Sequence, residues 1–157
     1  AAEGTAEGSL IGYALIKGGV SVDDPIIQGQ RAALIKKIEG GCYGSRSVPR
    51  HFVYEAGCDA MFLEAVDPQA HQAELTLIRD FLVRNQLSSG GWYYASAPPD
   101  PTGDTSITQY AILGLWAIER AEIEVPREVW GKAAKYFTAT QKGDGGFAYH
   151  PFEPPGT

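Results

Sequence analysis

A glutamine that is followed by two glycines and an aromatic residue recurs along this chain, and this repeat constrains the fold more than any other feature. The clear copies lie at residues 86–92 and 141–147, and a weaker copy lies at residues 39–43. Their shared positions are Gln86, Gly90, Gly91 and Trp92 in one copy, and Gln141, Gly145, Gly146 and Phe147 in the other. Each copy follows an amphipathic run. A unit that recurs at such an interval predicts stacked supersecondary repeats.

Apolar runs alternate with amphipathic runs, and the spacing of both predicts helices rather than strands. Apolar helices are predicted from residues 9, 51 and 107, and amphipathic helices follow them after Asp24-Pro25, Asp67-Pro68 and Pro126. A proline at the first helical position, preceded by a capping residue, is a strong helix start. Asp104, Thr105 or Ser106 is expected to cap the third apolar helix. No stretch alternates at period two for long enough to form a sheet.

The order of these runs predicts an all-α fold of about three helical hairpins, at residues 9–43, 51–92 and 104–147. A helix that is apolar all round must be packed against other elements on two opposite sides, whereas an amphipathic helix needs to be packed on its apolar side only. The apolar helices should therefore form an inner layer and the amphipathic helices an outer layer. Residues 1–8 are expected to be a disordered tail, and residues 151–157 a second tail after a single domain at 9–150.

The glutamine-glycine turns have a structural interpretation. The ends of helices leave main-chain carbonyl and N–H groups unpaired, and a glutamine amide can both donate and accept hydrogen bonds. Gln86 and Gln141 are therefore expected to bridge one helix end to the next helix start, while the glycines allow positive φ and the aromatic residue packs on the glutamine. A phosphate-binding loop is disfavoured, because no strand precedes the glycines and no P-loop lysine follows them.

Composition and charge exclude several classes of partner. The net charge of −6 and the lack of a Lys/Arg stripe argue against nucleic acid and anionic membranes. No apolar run is long enough to span a bilayer. Cys42 and Cys58 do not share a metal-binding spacing with a histidine, so we expect no metal and no cofactor. Both cysteines are predicted to be buried free thiols, with a Cys42–Cys58 disulfide as the alternative, and His71 and His150 are predicted to lie on the surface.

Residues 86–92 and 141–147 match the Q-x-x-x-G-G-W/F (QW) repeat, and residues 103–110 are similar to the start of an inner helix of the same proteins. On these residues the chain resembles the prenyltransferase and squalene–hopene cyclase repeat superfamily, over about residues 9–150, and is most similar to bacterial proteins with squalene-cyclase-like repeats. The resemblance implies an α/α toroid, a ring of hairpins around a central cavity. About half of such a ring is present, which implies a fragment or an open half-ring that is completed by pairing.

The catalytic motifs of these enzymes are not found in the chain. The cyclases protonate their substrate with an Asp-x-Asp-Asp motif, and the nearest segment, residues 21–24, lacks the first aspartate. The zinc-binding Asp, Cys and His pattern of the prenyltransferases and the thioester string Gly-Cys-Gly-Glu-Gln are also missing. The resemblance therefore implies a terpenoid-cyclase-like helical repeat domain rather than an active enzyme.

A ligand site, if present, is expected on the concave inner face near the starts of the apolar helices, where helix N-termini attract anions. His51 and Thr105 lie there, and the candidate ligand-binding residues are Tyr54, Glu55, Asp59, Asp104, Ser106, Gln109 and Tyr110. Glu55, Asp59 and Asp104 are also the candidate acid–base residues, because Glu55 and Asp59 share one helix face. The favoured interpretation is structural, namely that these carboxylates cap or hydrogen-bond neighbouring turns. Trp116 and Tyr110 are predicted to belong to the core or to line an apolar pocket.

Three functions remain open at this point. The favoured one is a domain that binds an apolar, isoprenoid-like small molecule or a protein partner on its concave face, without catalysis of its own. The second is part of a cyclase or prenyltransferase whose acid or metal lies outside this chain. The third is a structural module that forms a homodimer through its open edges, where inner helices would leave apolar surface exposed.

Overall fold

The structure is a computed structural model that describes residues 6–38, 43, 52–94 and 102–151. The helices are α1 Ala6–Lys17, α2 Pro25–Ile38, α3 Phe52–Val66, α4 Gln72–Arg84, α5 Thr105–Arg120 and α6 Arg127–Thr140. The described residues contain no strand, and their one β-bridge joins Trp92 to Asp104. The predicted all-α class is confirmed. Within the described part of the chain, no helix is long and apolar enough to cross a bilayer.

The three apolar helices lie side by side, with α3 between α1 and α5. Ser9 contacts Asp59, and three residues further along both helices Gly12 contacts Phe62. Residue numbers therefore increase in the same direction along α1 and α3. Between α3 and α5, Gly57 faces Tyr110 near one end and Glu64 pairs with Arg120 at the other. The three helices therefore run parallel, and their N-termini lie at one edge of the layer.

Glycines allow these helices to approach closely. A Cβ atom on Gly114 of α5 would lie 2.7 Å from the Cα atom of Gly57 in α3, and one on Gly12 of α1 would lie 2.6 Å from the Phe62 ring. Such distances are too short for a methyl group. The absence of a side chain at these positions thus sets the spacing between the inner helices.

The amphipathic helices contribute their apolar sides to one continuous core. Buried residues of this core come from α2, α3, α4, α5 and α6, and Tyr13, Leu15 and Ile16 of α1 pack against it. The starts of α2 and α5 agree with the prediction: Asp24 Oδ1 accepts the N–H of Ile26 at 2.8 Å, and Asp104 Oδ1 accepts the N–H of Ile107 at 2.9 Å.

We call residues 86–92 the second turn. Its Gln86 joins the end of α4 to α6, because Nε2 donates at 3.0 Å both to the carbonyl of Gly90 and to the carbonyl of Val129 in the first turn of α6. Gln86 therefore donates to two carbonyls, whereas the sequence predicted that its amide would donate to a carbonyl at one helix end and accept from an N–H group at the next helix start. Gly90 has φ +93°, and Trp92 is completely buried with Nε1 donating to the carbonyl of Leu82 at 2.8 Å.

Two predicted boundaries differ from the structure. Helix α1 begins at Ala6, so residues 6–8 of the expected tail are helical, while residues 1–5 and 152–157 lie outside the described residues. Helix α4 begins at Gln72 rather than at the Asp67-Pro68 signal. The carboxylate of Asp67 instead accepts the N–H groups of Gln69 and Ala70 in a preceding turn.

The predictions for single residues have mixed outcomes. Cys58 is a buried free thiol, as predicted, whereas Cys42 lies outside the described residues. The predicted surface position of His71 is wrong: the residue is buried, because Arg31 of α2 covers it and donates from Nε to His71 Nε2 at 2.9 Å. Trp116, a predicted core or pocket residue, is 54% exposed, with the Arg120 guanidinium 4.3 Å above its ring.

Candidate functional site

An open cleft of about 290 Å³ lies between the N-terminal parts of the three inner helices, and we call it the main cleft. It is lined by Ala6, Glu7, Leu10, Tyr54, Glu55, Cys58 and Tyr110. Because the inner helices run parallel, their first turns meet here. The rings of Tyr54 and Tyr110 contact each other across α3 and α5, with centroids 4.5 Å apart. The cleft therefore has a wall of two aromatic rings.

Apolar side chains continue from the main cleft along the inner helices. Cys58, Met61 and Ala117 form a small buried cluster that is separate from the main core, and Tyr13, Tyr110 and Leu113 pack against it. Tyr110 and Cys58 belong both to this cluster and to the wall of the cleft. The apolar lining of the cleft is therefore continuous, through Tyr110 and Cys58, with the partly buried Tyr13 and Leu113.

The acidic residues of the cleft oppose the binding of an anion. A helix N-terminus carries about half a positive charge, which attracts anions. Each inner helix already has its own carboxylate at this end: Glu7 lies in the first turn of α1, Glu55 in the first turn of α3, and Asp104 caps α5. Glu7 and Glu55 also line the cleft. These three carboxylates therefore neutralise the partial positive charge at the helix N-termini, which weakens the attraction for a bound anion.

Behind the cleft, Asp59 is the centre of a polar network that joins α1, α2 and α3. Its Oδ1 accepts Ser9 Oγ at 2.5 Å, and its Oδ2 accepts Tyr43 Oη at 2.7 Å and Lys37 Nζ at 3.3 Å. Lys37 Nζ also donates to Glu55 Oε2 at 3.0 Å. Asp59 has no exposed surface, so its carboxylate holds helices together and does not reach the cleft.

The titration of this network follows from burial and charge. Burial lowers the pKa of Lys37, but the charges and hydrogen bonds of Asp59 and Glu55 outweigh it, so that the pKa lies above 10.5. Burial raises the pKa of Asp59, against the opposing effects of Lys37, Ser9 and Tyr43. Burial, followed by the charge of Asp59, raises the pKa of Tyr43 well above 10.0. Lys37 is thus a cation and Tyr43 a neutral donor at physiological pH.

Cys58 is the one thiol in the wall of the main cleft as far as the chain is described. Burial, followed by the charge of Asp59, raises its pKa to about 12. Since the thiolate and not the thiol is the nucleophile, the side chain is an apolar lining group at neutral pH rather than a reactive one. Among the described residues, no group of three or more His, Cys, Asp or Glu side chains is placed to hold a metal ion.

A second cleft of about 190 Å³ lies at the start of α5, between this helix and residues 147–149. Thr105, Ser106 and Gln109 line it, together with Phe147, Ala148 and Tyr149. Asp104 is nearby but buried, and its Oδ1 accepts Ser106 Oγ at 2.6 Å in addition to the N–H that it caps. Its role in the structure is therefore the predicted cap.

The structure distributes the predicted site residues over two clefts. Tyr54, Glu55 and Tyr110 meet in the main cleft, Ser106 and Gln109 line the second cleft, and Asp59 and Asp104 are buried. His51 lies outside the described residues. Sequence reasoning missed the other four residues of the main cleft, which are Ala6, Glu7, Leu10 and Cys58. Glu7 was assigned to the tail, and the position of α1 against α3 depends on the contact between Gly12 and Phe62.

The expected relationship to cyclase and prenyltransferase repeats receives no independent support. The chain matches no protein-family model, no curated protein and no solved structure.

Proposed function

We propose that this chain is a terpenoid-cyclase-like helical repeat domain that binds an apolar, isoprenoid-like ligand in the main cleft and does not catalyse a reaction of its own. In this proposal the three helix pairs form part of an α/α toroid, and the cleft lies on its concave face. The observation that carries the proposal is the aromatic and aliphatic wall formed by Leu10, Tyr54 and Tyr110, which continues into the apolar cluster around Met61.

The size of the cleft supports a small ligand or one end of a longer one. Its volume of about 290 Å³ is at the lower end of the range for small-molecule pockets. A chain of several isoprene units would fill it and extend along Tyr13 and Leu113. Burial of this hydrocarbon would supply the affinity, and the few polar groups of the cleft would orient the head group.

The carboxylates of Glu7 and Glu55 favour a neutral head group over a diphosphate. Lys37, which contacts the cleft residue Glu55, is already paired with Glu55 and Asp59. A diphosphate would add negative charge beside two acidic residues, which costs free energy in a partly desolvated site. The proposal therefore names an isoprenoid alcohol or hydrocarbon and excludes a prenyl diphosphate.

The absence of catalysis is proposed from the state of the candidate groups. Asp59 is buried in its own network, Asp104 caps α5, and the thiol of Cys58 is neutral. Glu55 lines the cleft, but Lys37 holds one of its oxygens. In this proposal no candidate group therefore presents to the cleft a free carboxylate or an activated thiol for acid–base or nucleophilic catalysis.

Titration with farnesol and farnesyl diphosphate, followed by native mass spectrometry, tests this proposal. Farnesol should bind with one molecule per chain, and farnesyl diphosphate should bind at least about tenfold more weakly because of the two carboxylates. Leu10→Ser should weaken farnesol binding by about 5- to 30-fold, which corresponds to the loss of about 1–2 kcal/mol of apolar contact.

Ile11→Ser is the matched control, because Ile11 is the next residue of the same helix, is also exposed, and does not line the cleft. It should leave the dissociation constant unchanged. Equal effects of the two substitutions, or tighter binding of the diphosphate, would contradict the proposed site. Conversion of farnesol or farnesyl diphosphate into a product during the titration would contradict the absence of catalysis.

A further inference from the structure

The carboxylate of Glu55 lines the main cleft, but it is held by a residue that does not line the cleft. Lys37 lies in the last turn of α2, and its Nζ donates to Glu55 Oε2 at 3.0 Å. The two side chains are only 25% and 19% exposed. Within the described residues, the Glu55 carboxylate has no hydrogen-bond partner other than Lys37. The charge of this cleft residue is therefore offset from α2.

Lys37 is shared with a second carboxylate, that of Asp59, which lies one turn further along α3. Lys37 Nζ is 3.3 Å from Asp59 Oδ2. Asp59 also accepts hydrogen bonds from Ser9 Oγ and Tyr43 Oη. The two carboxylates thus depend on Lys37 to different extents. Without the amine of Lys37, Asp59 would retain two donors, whereas Glu55 would have none.

An unpaired Glu55 carboxylate would lie in a cleft with an aromatic wall. The rings of Tyr54 and Tyr110 line the same cleft, and the cations of the described residues lie over other aromatic rings. Aromatic faces attract an ammonium group, and a nearby carboxylate adds to that attraction. A neutral apolar ligand would instead have to remove water from the unpaired carboxylate, which costs free energy. The loss of Lys37 should therefore affect the two kinds of ligand in opposite directions.

The other charges around Glu55 do not replace Lys37. Glu7 of α1 also lines the cleft and is acidic, and Asp59 lies behind the cleft. The N-terminus of α3 contributes about half a positive charge, with or without Lys37. In the described part of the chain, Lys37 is the only residue that forms an ion pair with Glu55 or Asp59. Its removal therefore makes the charge at the cleft more negative.

We infer that Lys37 is a specificity-determining residue of the main cleft: by pairing with Glu55 it makes the cleft select a neutral head group over an ammonium group. This inference rests on the proposed function, because it concerns the head group of the ligand that the cleft binds. Lys37 does not line the cleft, so it is a positioning residue that acts through Glu55.

Calorimetric titration of the wild type and of Lys37→Met with farnesol and with farnesylamine tests this inference. The amine of farnesylamine is protonated at pH 7, like that of lysine. The measured quantity is the ratio of the two dissociation constants, because a general disturbance of the cleft would weaken the binding of both ligands together. In Lys37→Met this ratio should shift in favour of farnesylamine by about tenfold relative to the wild type.

Three further variants separate the effect of the Glu55 pair from other effects. Lys36→Met is the matched control: Lys36 is the preceding residue of α2, is exposed, and pairs with no carboxylate in the described part of the chain. It should keep the wild-type ratio although it removes the same charge. Lys37→Arg should also keep this ratio, because it retains a cation beside Glu55. The double variant Lys37→Met/Glu55→Gln should show no shift towards farnesylamine, because it leaves no carboxylate unpaired.

The outcomes distinguish this inference from the proposed function. Equal ratios in Lys37→Met and Lys36→Met, with farnesol bound to the wild type, would overturn the inference and leave the proposed function intact. A shift that persists in the double variant would overturn it as well, since the shift would not depend on Glu55. A wild type that does not bind farnesol would contradict the proposed function and this inference with it. Circular dichroism checks that the variants are folded, and Lys37→Gln, which keeps a donor for Asp59, replaces Lys37→Met if that variant unfolds.

Discussion

Replacement of Gln86 by alanine should destabilise the protein much more than the same replacement of Gln141. Gln86 Nε2 makes two hydrogen bonds of 3.0 Å, one within the second turn and one to Val129 of α6. Gln141 Nε2 makes the single corresponding bond, to Gly145 O, within the exposed turn of residues 141–147, the third turn. The two substitutions are matched, because each removes the same side chain from the same position of the same motif.

The expected difference follows from the number and burial of these bonds. A hydrogen bond between protein groups contributes about 0.5–1.5 kcal/mol net, so the loss of both Gln86 bonds should lower the free energy of unfolding by about 1–3 kcal/mol. The bond of Gln141 is exposed, and water replaces it, so its loss should cost less than about 0.5 kcal/mol. At about 2–4 °C per kcal/mol for a domain of this size, Gln86→Ala should lower Tm by about 4–8 °C if it costs about 2 kcal/mol.

Urea unfolding of the wild type and both variants, followed by circular dichroism at low protein concentration, measures this difference. Equal losses of stability in the two variants would refute the reasoning, since they would mean that the bond to α6 contributes nothing. A larger loss for Gln141→Ala would refute it as well.

Three further predictions concern packing and titration. Gly114→Ala should lower the free energy of unfolding in urea by about 1–3 kcal/mol, because the added methyl group forces α3 and α5 apart. Gly131→Ala, which has open space around it, should raise this free energy by about 0.5–1 kcal/mol. Equal effects of the two substitutions would contradict the close packing of α3 and α5. In a Cys42→Ala variant at pH 8, Cys58 of the native protein should react with Ellman's reagent about 1000-fold more slowly than Cys58 of the unfolded protein. The reason is that a pKa of about 12 instead of 9.0 lowers the thiolate fraction by about this factor. Equal reaction rates would contradict the burial of Cys58. Burial, and then the charge of the adjacent Arg31, lowers the pKa of His71 below 6.5. The neutral form of His71 therefore contributes its full stabilisation above pH 6.5, and this contribution is lost as the pH falls below 6.5. His71→Gln should reduce this loss of stability in unfolding experiments at several pH values, and an unchanged pH dependence would show that other groups cause it.

The helices and their caps could be predicted because their signals are local. Asp24-Pro25 starts α2 and Asp104 caps α5, since a carboxylate can reach the N–H groups of the next residues without help from the rest of the fold. Asp67-Pro68 gives the same signal but forms only a turn before α4. The local signal identifies a capped turn and does not decide whether a helix continues from it.

Contacts between residues far apart in the sequence explain why the positions of some residues could not be predicted. His71 is buried because Arg31, from another helix, lies over it, and nothing near His71 in the sequence indicates this. Three of the seven residues that line the main cleft were expected from the starts of the inner helices. Glu7 and Leu10 line it because Gly12 lets α1 pack closely against Phe62. A glycine within an apolar helix is the one sequence signal of such an approach.

The measurement that tests the proposed function most directly is a two-dimensional NMR titration of the full chain with farnesol. The account predicts shifts concentrated on residues of the main cleft, such as Leu10, Tyr54, Cys58 and Tyr110, with the third turn unchanged. Shifts spread evenly over the molecule, shifts centred on Phe147, or no change at saturating farnesol would contradict it.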